Sequence, residues 1–426
     1  MTTSRVDRAD FLKGAAAAGV AAAATNIPQV AFAQAPRTIK IGLVQPMTGP
    51  LAFFTEHMPF VLAQIKQKIG TSIDVGGTKH PYEIIIKDSQ SSPNRASEVA
   101  RELILQDKVD LITTYATPET VNPVSDQCEL NGVPCISNDA PLEPYFFGRK
   151  GDPKKGFEWT YHFFFSAGTL AKAMLAYWNK LPTDKVLGGL WGNYGDGIAQ
   201  SKVFAAEFTQ AGYKVVDPGR FDMPASSYNA QIAAFSSGHC DIIQGVLPPP
   251  EFTAFWNGVA QQGYKPKSVY VGKACEFPEP IYALHDRCIG LTVETWWSKF
   301  HPYSSHLIGL TSRELADSWE AAEKRQYSMA LGFRHALWEV VFDVLKRTHD
   351  VDKAASIRDA ARTTKYESIV GPIDFRTGPF PNCAETPLVV SQWFKGSKYP
   401  YELAIVDNTT TPIVPVNHKP ELIHYS

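Results

Sequence analysis

The chain has 426 residues, of which 44% are hydrophobic and 20% charged, a composition typical of a globular protein with two or three domains. Its 41 lysines and arginines nearly balance its 43 aspartates and glutamates, which leaves a formal net charge of -2. No block of like charge occurs, and this argues against a nucleic-acid-binding protein or one held on an anionic membrane surface.

The first 33 residues have the three parts of an export signal. Arg5, Arg8 and Lys13 form a basic region, and residues 14–24 are an uninterrupted run of Gly, Ala and Val. Ala31-Phe32-Ala33 then supplies a small-residue cleavage site. The apolar run is shorter than the ~20 residues that span a bilayer, so we predict cleavage after Ala33 and a periplasmic mature protein. An N-terminal anchor or a buried alanine-rich helix is the alternative.

The export route is less clearly specified than export itself. Phe11-Leu12-Lys13 fits the twin-arginine pattern R-R-x-F-L-K, but Ala9 stands where the second arginine belongs. The signal is therefore Tat-like with one arginine missing, and the sequence leaves both the Sec and the Tat routes open.

After the signal, short strand-like runs alternate with helical patterns of 10–15 residues. This alternation predicts parallel sheets with helices on both faces. A first series runs to residue 137 and a second begins near residue 169, which predicts two α/β lobes. The predicted strands are residues 38–44, 82–87, 111–115, 134–137, 186–191, 213–216, 242–246, 268–271 and 290–294.

The last third of the chain has a different pattern. Residues 312–323, 330–346 and 351–363 are predicted to be helical, and residues 371–375, 388–393 and 403–407 are predicted to be short strands. The second of these helices has a wide apolar face, which indicates a helix in the core.

The sequence lacks the common catalytic and cofactor motifs. It contains no P-loop, G-x-S-x-G elbow, H-E-x-x-H pair or EF-hand. The glycines of residues 192–197 reverse the dinucleotide fingerprint, so they predict a tight strand-to-helix turn. The 11 histidines are scattered. We therefore predict no catalytic residue, no metal and no cofactor, although a secreted hydrolase stays possible because triad residues need not be adjacent in sequence.

The six cysteines show no C-x-x-C pair and no zinc-type spacing. Export would permit disulfides, and Cys275 with Cys288 would close a short loop. Buried free thiols are an equally good interpretation, because a chain of this length builds a large core without covalent crosslinks.

Four short motifs occur in order along the chain. Together they resemble the periplasmic binding proteins of branched-chain amino-acid-type ABC importers, the Leu/Ile/Val-binding protein family, and the likeness covers nearly all of residues 39–407. The motifs are an opening strand with a P-x-T-G loop at residues 39–50, G-V-P-x-I-S at residues 132–137, x-Y-G-x-G at residues 193–197 and G-x-I-x-F at residues 371–375.

The resemblance implies an α/β fold of periplasmic binding protein type I, with two lobes of parallel sheet flanked by helices and a hinged cleft between them. Lobe 1 would comprise residues 34–165 and 288–375 and lobe 2 residues 166–287, with residues 376–426 forming C-terminal strands that return to lobe 2 and a tail. A monomer would close on a small-molecule ligand and deliver it to an ABC importer permease. A periplasmic ligand-sensing receptor of the same fold is the alternative.

The family's ligand contacts lie on loops that this sequence matches. Tyr194 matches the tyrosine that closes over the ligand from lobe 2. Trp296, followed by Trp297, lies just after a strand, where the pair could wall an apolar pocket or seal the hinge. From lobe 1, the resemblance implies contacts by Tyr115, Ala116, Thr117, Asn138, Asp139 and Ala140.

One departure from the family affects the ligand class. Amino-acid binders carry an acidic residue after the strand that matches residues 269–272, where this chain has Ala274, with Lys273 beside it and Glu276 two residues on. We therefore predict that Lys273 pairs with the carboxylate of a largely apolar ligand, with an aromatic acid as the first candidate. The alternative is that Glu276 or Asp139 holds a ligand ammonium.

Overall fold

A computed structural model describes residues 36–425, so the predicted export signal lies outside the described residues. The strands are β1 Ile39–Gln45, β2 Ser72–Val75, β3 Thr78–Asp88, β4 Leu111–Thr114, β5 Cys135–Asn138, β6 Thr160–Phe164, β7 Val186–Leu190, β8 Lys214–Val216, β9 Ile242–Leu247, β10 Ser268–Lys273, β11 Thr292–Thr295, β12 Lys365–Ser368, β13 Gly371–Asp374, β14 Cys383–Glu385, β15 Val389–Lys395 and β16 Tyr401–Asp407.

Helices connect most of these strands. They are α1 Met58–Ile69, α2 Pro93–Glu102, α3 Pro118–Asn131, α4 Leu142–Gly148, α5 Ala167–Trp178, α6 Gly195–Gln210, α7 Asn229–Ser237, α8 Pro249–Gln261, α9 Pro278–Tyr282, α10 Ser312–Glu323, α11 Ala330–Arg347 and α12 Ala354–Arg362.

The strands form two seven-stranded sheets and a small hairpin of β12 and β13. The first sheet has the order β14-β6-β5-β4-β1-β3-β2, and all its pairs are parallel except β2 with β3. Every residue of β4 and β5 is buried, as expected for central parallel strands covered on both faces.

The second sheet has the order β16-β15-β11-β10-β9-β7-β8. The pairs from β8 to β11 are parallel, and β15 and β16 add an antiparallel edge. Two mostly parallel sheets flanked by helices confirm the predicted fold class. Below, lobe 1 is the first sheet with its helices and lobe 2 is the second sheet with its helices.

The chain passes between the two sheets three times, after β6, after β11 and after β14. Two strands therefore lie on the other side of the predicted boundaries. β11 was expected in the second part of lobe 1 but pairs with β10 and β15 in lobe 2. β14 was expected in lobe 2 but pairs with β6 in lobe 1. The ladder hydrogen bonds decide both cases, and sequence alone does not show which strands pair.

Helix α11 is the central helix of lobe 1 and packs against α1, β2 and β5. It is buried along almost its whole length, which confirms the predicted core helix. Its buried face nevertheless carries Arg334, His335 and Glu339, each with an exposed fraction of 0%. Buried charges need partners, and those of Arg334 lie at the cleft.

All six cysteines are buried free thiols. The disulfide suggested between Cys275 and Cys288 is therefore not formed, and the alternative interpretation of packed thiols is the correct one. Burial raises the pKa of the Cys288 thiol to about 12, which makes it a poor nucleophile.

Candidate ligand-binding cleft

Both sheets present the carboxyl ends of parallel strands to one shared cavity, the position at which open α/β sheets bind ligands. β4 and β5 of lobe 1 lead into Ala116 and Asp139, and β10 and β11 of lobe 2 lead to Lys273 and Trp296. The cavity is lined by Phe54, Ala116, Asp139, Pro141, Phe164, Phe165, Leu170, Asp196, Gln200, Val246, Lys273, Glu276, Glu294 and Trp296.

The cavity has a volume of about 30 Å³ in this conformation. That is room for one or two waters and far less than a pocket for an organic ligand. The lobes are therefore close together, and a ligand the size of an amino acid requires them to separate further.

On the lobe 1 side, the guanidinium of Arg334 organises the wall of the cleft. It is paired with the carboxylate of Asp139, donates to Asn138 Oδ1 at 3.3 Å and lies over the ring of Tyr115, 3.6 Å from the ring centre. The Tyr115 hydroxyl donates to Gln45 Oε1. Of the predicted residues, Asp139 lines the cavity, whereas Tyr115 and Asn138 stand behind it and hold Arg334.

The other predicted residues of lobe 1 have different roles. Ala116 lines the cavity. Thr117 is buried at the start of α3, and the Ala140 carbonyl accepts a hydrogen bond from His162 Nε2 at 2.7 Å. Thr117 and Ala140 therefore shape the loops and do not line the cavity in this conformation.

Three of the twelve non-glycine residues with positive φ in the described part of the chain line the cavity. Ala116, Asp139 and Lys273 line it, and their φ angles are 113°, 64° and 62°. Non-glycine residues in this region cost of order 1–3 kcal/mol each and persist where the surrounding structure fixes them, which is common at ligand sites. The three loops therefore hold non-glycine residues in the left-handed region where they face the cavity.

Tyr194 begins α6 at the edge of lobe 2, where the turn is unusually tight. A Cβ added to Gly197 would lie 2.1 Å from the Gly192 carbonyl oxygen, so the turn requires glycine. The half-buried Tyr194 donates its hydroxyl to the Val246 carbonyl at the end of β9, and the ammonium of Lys273 lies 4.8 Å from its ring centre. Tyr194 thus lies next to the cavity and contacts Lys273, which lines it, without lining it itself.

Lys273 is not a free cation. Its Nζ lies 2.7 Å from Asp196 Oδ2 in lobe 2 and 3.7 Å from Glu119 Oε2 in lobe 1, so it bridges the two lobes. Although burial opposes the charge, these two carboxylates raise the pKa of Lys273 above its usual value. The sequence did not reveal these two partners, and a ligand carboxylate would have to compete with them for Lys273.

Two buried glutamates, Glu276 and Glu294, lie at the back of the cavity. Glu276 Oε1 accepts from the Lys273 amide at 2.9 Å, and burial raises the pKa of Glu276 to about 7. Burial, together with the charge of Glu276, raises the pKa of Glu294 well above its usual value. The Oε2 atoms of both side chains have no hydrogen-bond partner among the described residues.

Sequence reasoning considered Glu276 but missed Glu294, Asp196 and Arg334. A signal was present in each case. Glu294 is an acidic residue within a fully buried strand, Arg334 is a charged residue on a core helix, and Asp196 lies in the turn that was singled out for its glycines. A charged residue on a face predicted to be buried indicates a buried ion pair or a functional group, because an unpaired buried charge is costly.

The two adjacent tryptophans have different roles: one lines the ligand pocket and the other packs at the hinge. Trp296 lines the cleft and packs edge-on against Phe333 and Phe164, with ring centres 5.0 and 5.3 Å apart. Trp297 turns the other way and donates to the Ile369 carbonyl at 3.1 Å. Trp296 therefore walls the pocket, and Trp297 seals the crossing that follows β11.

Three serine–histidine side-chain contacts occur among the described residues. Ser137 Oγ lies 2.8 Å from His162 Nδ1, Ser305 Oγ lies 2.8 Å from His335 Nε2, and Ser298 Oγ lies 3.0 Å from His301 Nδ1. All six residues are buried, and burial lowers the pKa of each histidine to about 3, which makes it a poor base near neutral pH. None of the three pairs lines the cleft cavity.

Between residues 36 and 425, no three or more His, Cys, Asp or Glu side chains are grouped as metal ligands. Among the same residues, none of the helices combines the length and the apolar character that crossing a membrane requires.

Comparison with known proteins gives one family match. The family model described as periplasmic binding protein matches residues 38–398. A curated relative, the Leu/Ile/Val-binding protein homolog 3 of Brucella melitensis, is 27% identical over 219 residues, which are 48% of this chain and 55% of the relative. The match thus spans about half the length of that curated relative.

Solved structures with the same architecture include a leucine-binding protein of Thermotoga maritima, with a TM-score of 0.72 and 18% identity over 87% of this chain and 99% of that one. Another is a solute-binding protein of an ABC transporter from Rhodopseudomonas palustris in complex with 3,4-dihydroxybenzoic acid. Its TM-score is 0.67, with 20% identity over 88% of this chain and 99% of that one. At these identities the likeness establishes the fold alone.

Proposed function

Because this chain belongs to the periplasmic binding protein family, we propose that it captures a small organic molecule in its cleft and delivers it to an ABC importer. The observation that supports this best is the shared cavity, whose lining comes from strand ends of both lobes. A ligand placed there, with the lobes somewhat further apart than in this conformation, contacts both lobes at once, and those contacts are lost when the lobes open wide.

The proposed mechanism is a shift between open and closed conformations. A ligand favours the closed form by its differential affinity for it, and three chain crossings between the sheets serve as the hinge. Lys273 adds a contact of its own, because its ammonium reaches Glu119 across the cleft only when the lobes approach. The importer permease would then recognise the closed form.

The family consists of periplasmic proteins, and we extend the proposal to the export and the oligomeric state of this chain. We propose that the N-terminal signal directs export and is cleaved after Ala33. The mature protein would act as a monomer, without turnover of its ligand. Proteins of similar structure are named for leucine or solved with 3,4-dihydroxybenzoic acid, so we include both kinds of ligand among the candidates.

The test is a ligand screen on mature protein purified from the periplasm. Amino acids, aliphatic amides, amines and aromatic acids are screened by thermal shift, and each hit is measured by calorimetry and small-angle X-ray scattering. A true ligand raises the melting temperature, because it binds only the folded state, and it reduces the radius of gyration through lobe closure. Hydrolysis of an ester or amide, abolished by a single substitution, would contradict the proposal.

A further inference from the structure

The adjacent side chains of Trp296 and Trp297 line two different cavities: Trp296 lines that of the cleft, and Trp297 lines a second one beside the crossing that follows β11. We call the second one the hinge cavity, and its wall includes Thr295, Glu320, Tyr327, Ser391, Trp393 and Leu403. Of the described residues, Glu276 alone lines both cavities. We propose that the hinge cavity is a second binding site, outside the cleft, for a neutral aromatic molecule that carries a hydroxyl group, that is, a phenol.

The hinge cavity has the size of one substituted aromatic ring. Its volume is about 210 Å³, against about 30 Å³ for the cleft cavity in the same conformation. An apolar cavity of ~150 Å³ is large enough to bind benzene. The hinge cavity therefore has room for a monocyclic molecule while the lobes are close together.

Indole rings form part of its wall, and their polar atoms are already paired. Trp297 Nε1 donates to the Ile369 carbonyl at 3.1 Å. Trp393 Nε1 donates to the Cys275 carbonyl at 2.8 Å. The ring of Tyr327 packs edge-on against Trp297, with ring centres 5.6 Å apart. These rings offer apolar surface to the cavity, and another aromatic ring packs favourably against such surface.

Glu320 on α10 supplies the polar contact. Its side chain is 1% exposed, and Lys398 Nζ donates to its Oε2 at 2.6 Å. The other oxygen, Oε1, has no hydrogen-bond partner among the described residues, and Glu320 lines the cavity. A buried carboxylate oxygen without a donor is costly, so a hydroxyl group in the cavity would form a charge-assisted hydrogen bond there.

The charges around the hinge cavity favour a neutral ligand. Three carboxyl side chains line it, those of Glu276, Glu320 and Glu402. Glu320 is paired with Lys398, and Lys299 contributes a second ammonium group to the wall. Burial raises the pKa of Glu276 to about 7, so this group is ionised only in part at neutral pH. A charged ligand of either sign would meet a group of its own sign, whereas a neutral phenol meets none and still donates to Glu320.

The wall of the hinge cavity comes from both lobes. Glu320 and residues 326–329 precede α11 in lobe 1, whereas β15 and β16 belong to lobe 2. The ion pair of Glu320 with Lys398, in the turn between β15 and β16, already joins the lobes here. A molecule held in this cavity contacts both lobes in their close arrangement, so it should stabilise that arrangement against separation. Occupation of the hinge cavity would thus favour closed lobes without filling the cleft.

The experiment measures the binding of 4-methylphenol and of toluene to the mature protein. The two probes share the ring and the methyl group and differ only in the hydroxyl group. By calorimetry, 4-methylphenol should bind about tenfold or more tightly than toluene, because toluene leaves Glu320 Oε1 without a donor. Small-angle X-ray scattering should show that 4-methylphenol at saturation reduces the radius of gyration.

Two variants locate the binding. Leu403→Trp enlarges a side chain of the wall, opposite Trp393 in the ladder, and should weaken the binding of both probes by about tenfold or more. Glu320→Gln keeps the shape and removes the charge, so it should reduce the preference for 4-methylphenol over toluene. Leu130→Trp and Glu323→Gln are the matched controls, because both residues are exposed and should change neither quantity. If either variant does not fold, the other variant and the preference of the unmodified protein still decide the question.

Several outcomes would overturn the hinge site and leave solute capture in the cleft intact. They are equal or absent binding of the two probes, and binding that neither Leu403→Trp nor Glu320→Gln weakens. Binding of 4-methylphenol that is lost in Tyr194→Ala but kept in Leu403→Trp would place the phenol in the cleft, and it would overturn the hinge site too. Tight binding in the hinge cavity with an unchanged radius of gyration would overturn its coupling to lobe closure.

Discussion

Replacing Arg334 with methionine tests whether its buried ion pair with Asp139 stabilises the fold of lobe 1. Arg334 has an exposed fraction of 0%, and its charge is matched by Asp139, with further contacts to Asn138 and the ring of Tyr115. Methionine fills most of the volume but leaves the Asp139 carboxylate buried without a cation. Removing one partner of a buried pair costs about 3–5 kcal/mol, so we expect a loss of that size in the free energy of unfolding.

The assay is urea denaturation of the ligand-free mature protein, followed by tryptophan fluorescence and far-UV circular dichroism. Lys353→Met is the control, because Lys353 pairs with Asp350 on the surface and its side chain is 76% exposed. Exposed pairs contribute about 0–1 kcal/mol, so the control should change little. The double variant Arg334→Met with Asp139→Asn should regain part of the loss, because it removes the uncompensated charge as well.

Two results would refute this reasoning. One is a cost for Arg334→Met no greater than that for Lys353→Met, which would mean that water or a neighbouring group compensates Asp139. The other is a double variant no more stable than Arg334→Met alone, which would show that packing of the guanidinium over Tyr115, and not charge, dominates.

Three further predictions concern the cleft and its supporting turn. Tyr194→Ala should weaken ligand binding by about 1 kcal/mol or more, measured by calorimetry, because it removes the aromatic ring beside Lys273, while the circular dichroism spectrum stays unchanged. Glu276→Gln should reduce the pH dependence of the free energy of unfolding. The folded-state pKa of Glu276 is raised from 4.5 to about 7, so its contribution to stability is complete below pH 4.5 and declines by about 3 kcal/mol as the pH rises to 7. Urea titrations across this range should show that decline in the parent protein but less of it in the variant. Gly197→Ala should lower the melting temperature, since its Cβ would lie 2.1 Å from the rigid Gly192 carbonyl oxygen, at a cost of about 1–3 kcal/mol; an unchanged melting temperature would show that the turn opens without strain.

Much of the fold was predictable because its signals are local. Alternation of buried strands with helices of 10–15 residues depends on side-chain periodicity alone, and it correctly predicted α11 and two α/β sheets. The loops carrying Ala116, Asp139 and Lys273 were also predictable, since ligand loops follow the carboxyl ends of parallel strands. Strand pairing was not predictable: the segments that contain β11 and β14 were assigned to the wrong lobes, because pairing joins segments far apart in the chain.

By itself, the sequence determined the family, the two-lobed architecture and the loops that meet at the cleft, because each rests on motifs or periodicities within a few residues. Only the tertiary structure decided which charges are satisfied there. Arg334 and Asp139 are 195 residues apart in the chain, and Lys273 reaches Asp196 and Glu119 from another strand end, so no local pattern reveals that these groups neutralise one another. Folding pairs the cations Arg334 and Lys273 with carboxylates from distant segments, while Glu276 and Glu294 line the same cavity without an ion pair among the described residues.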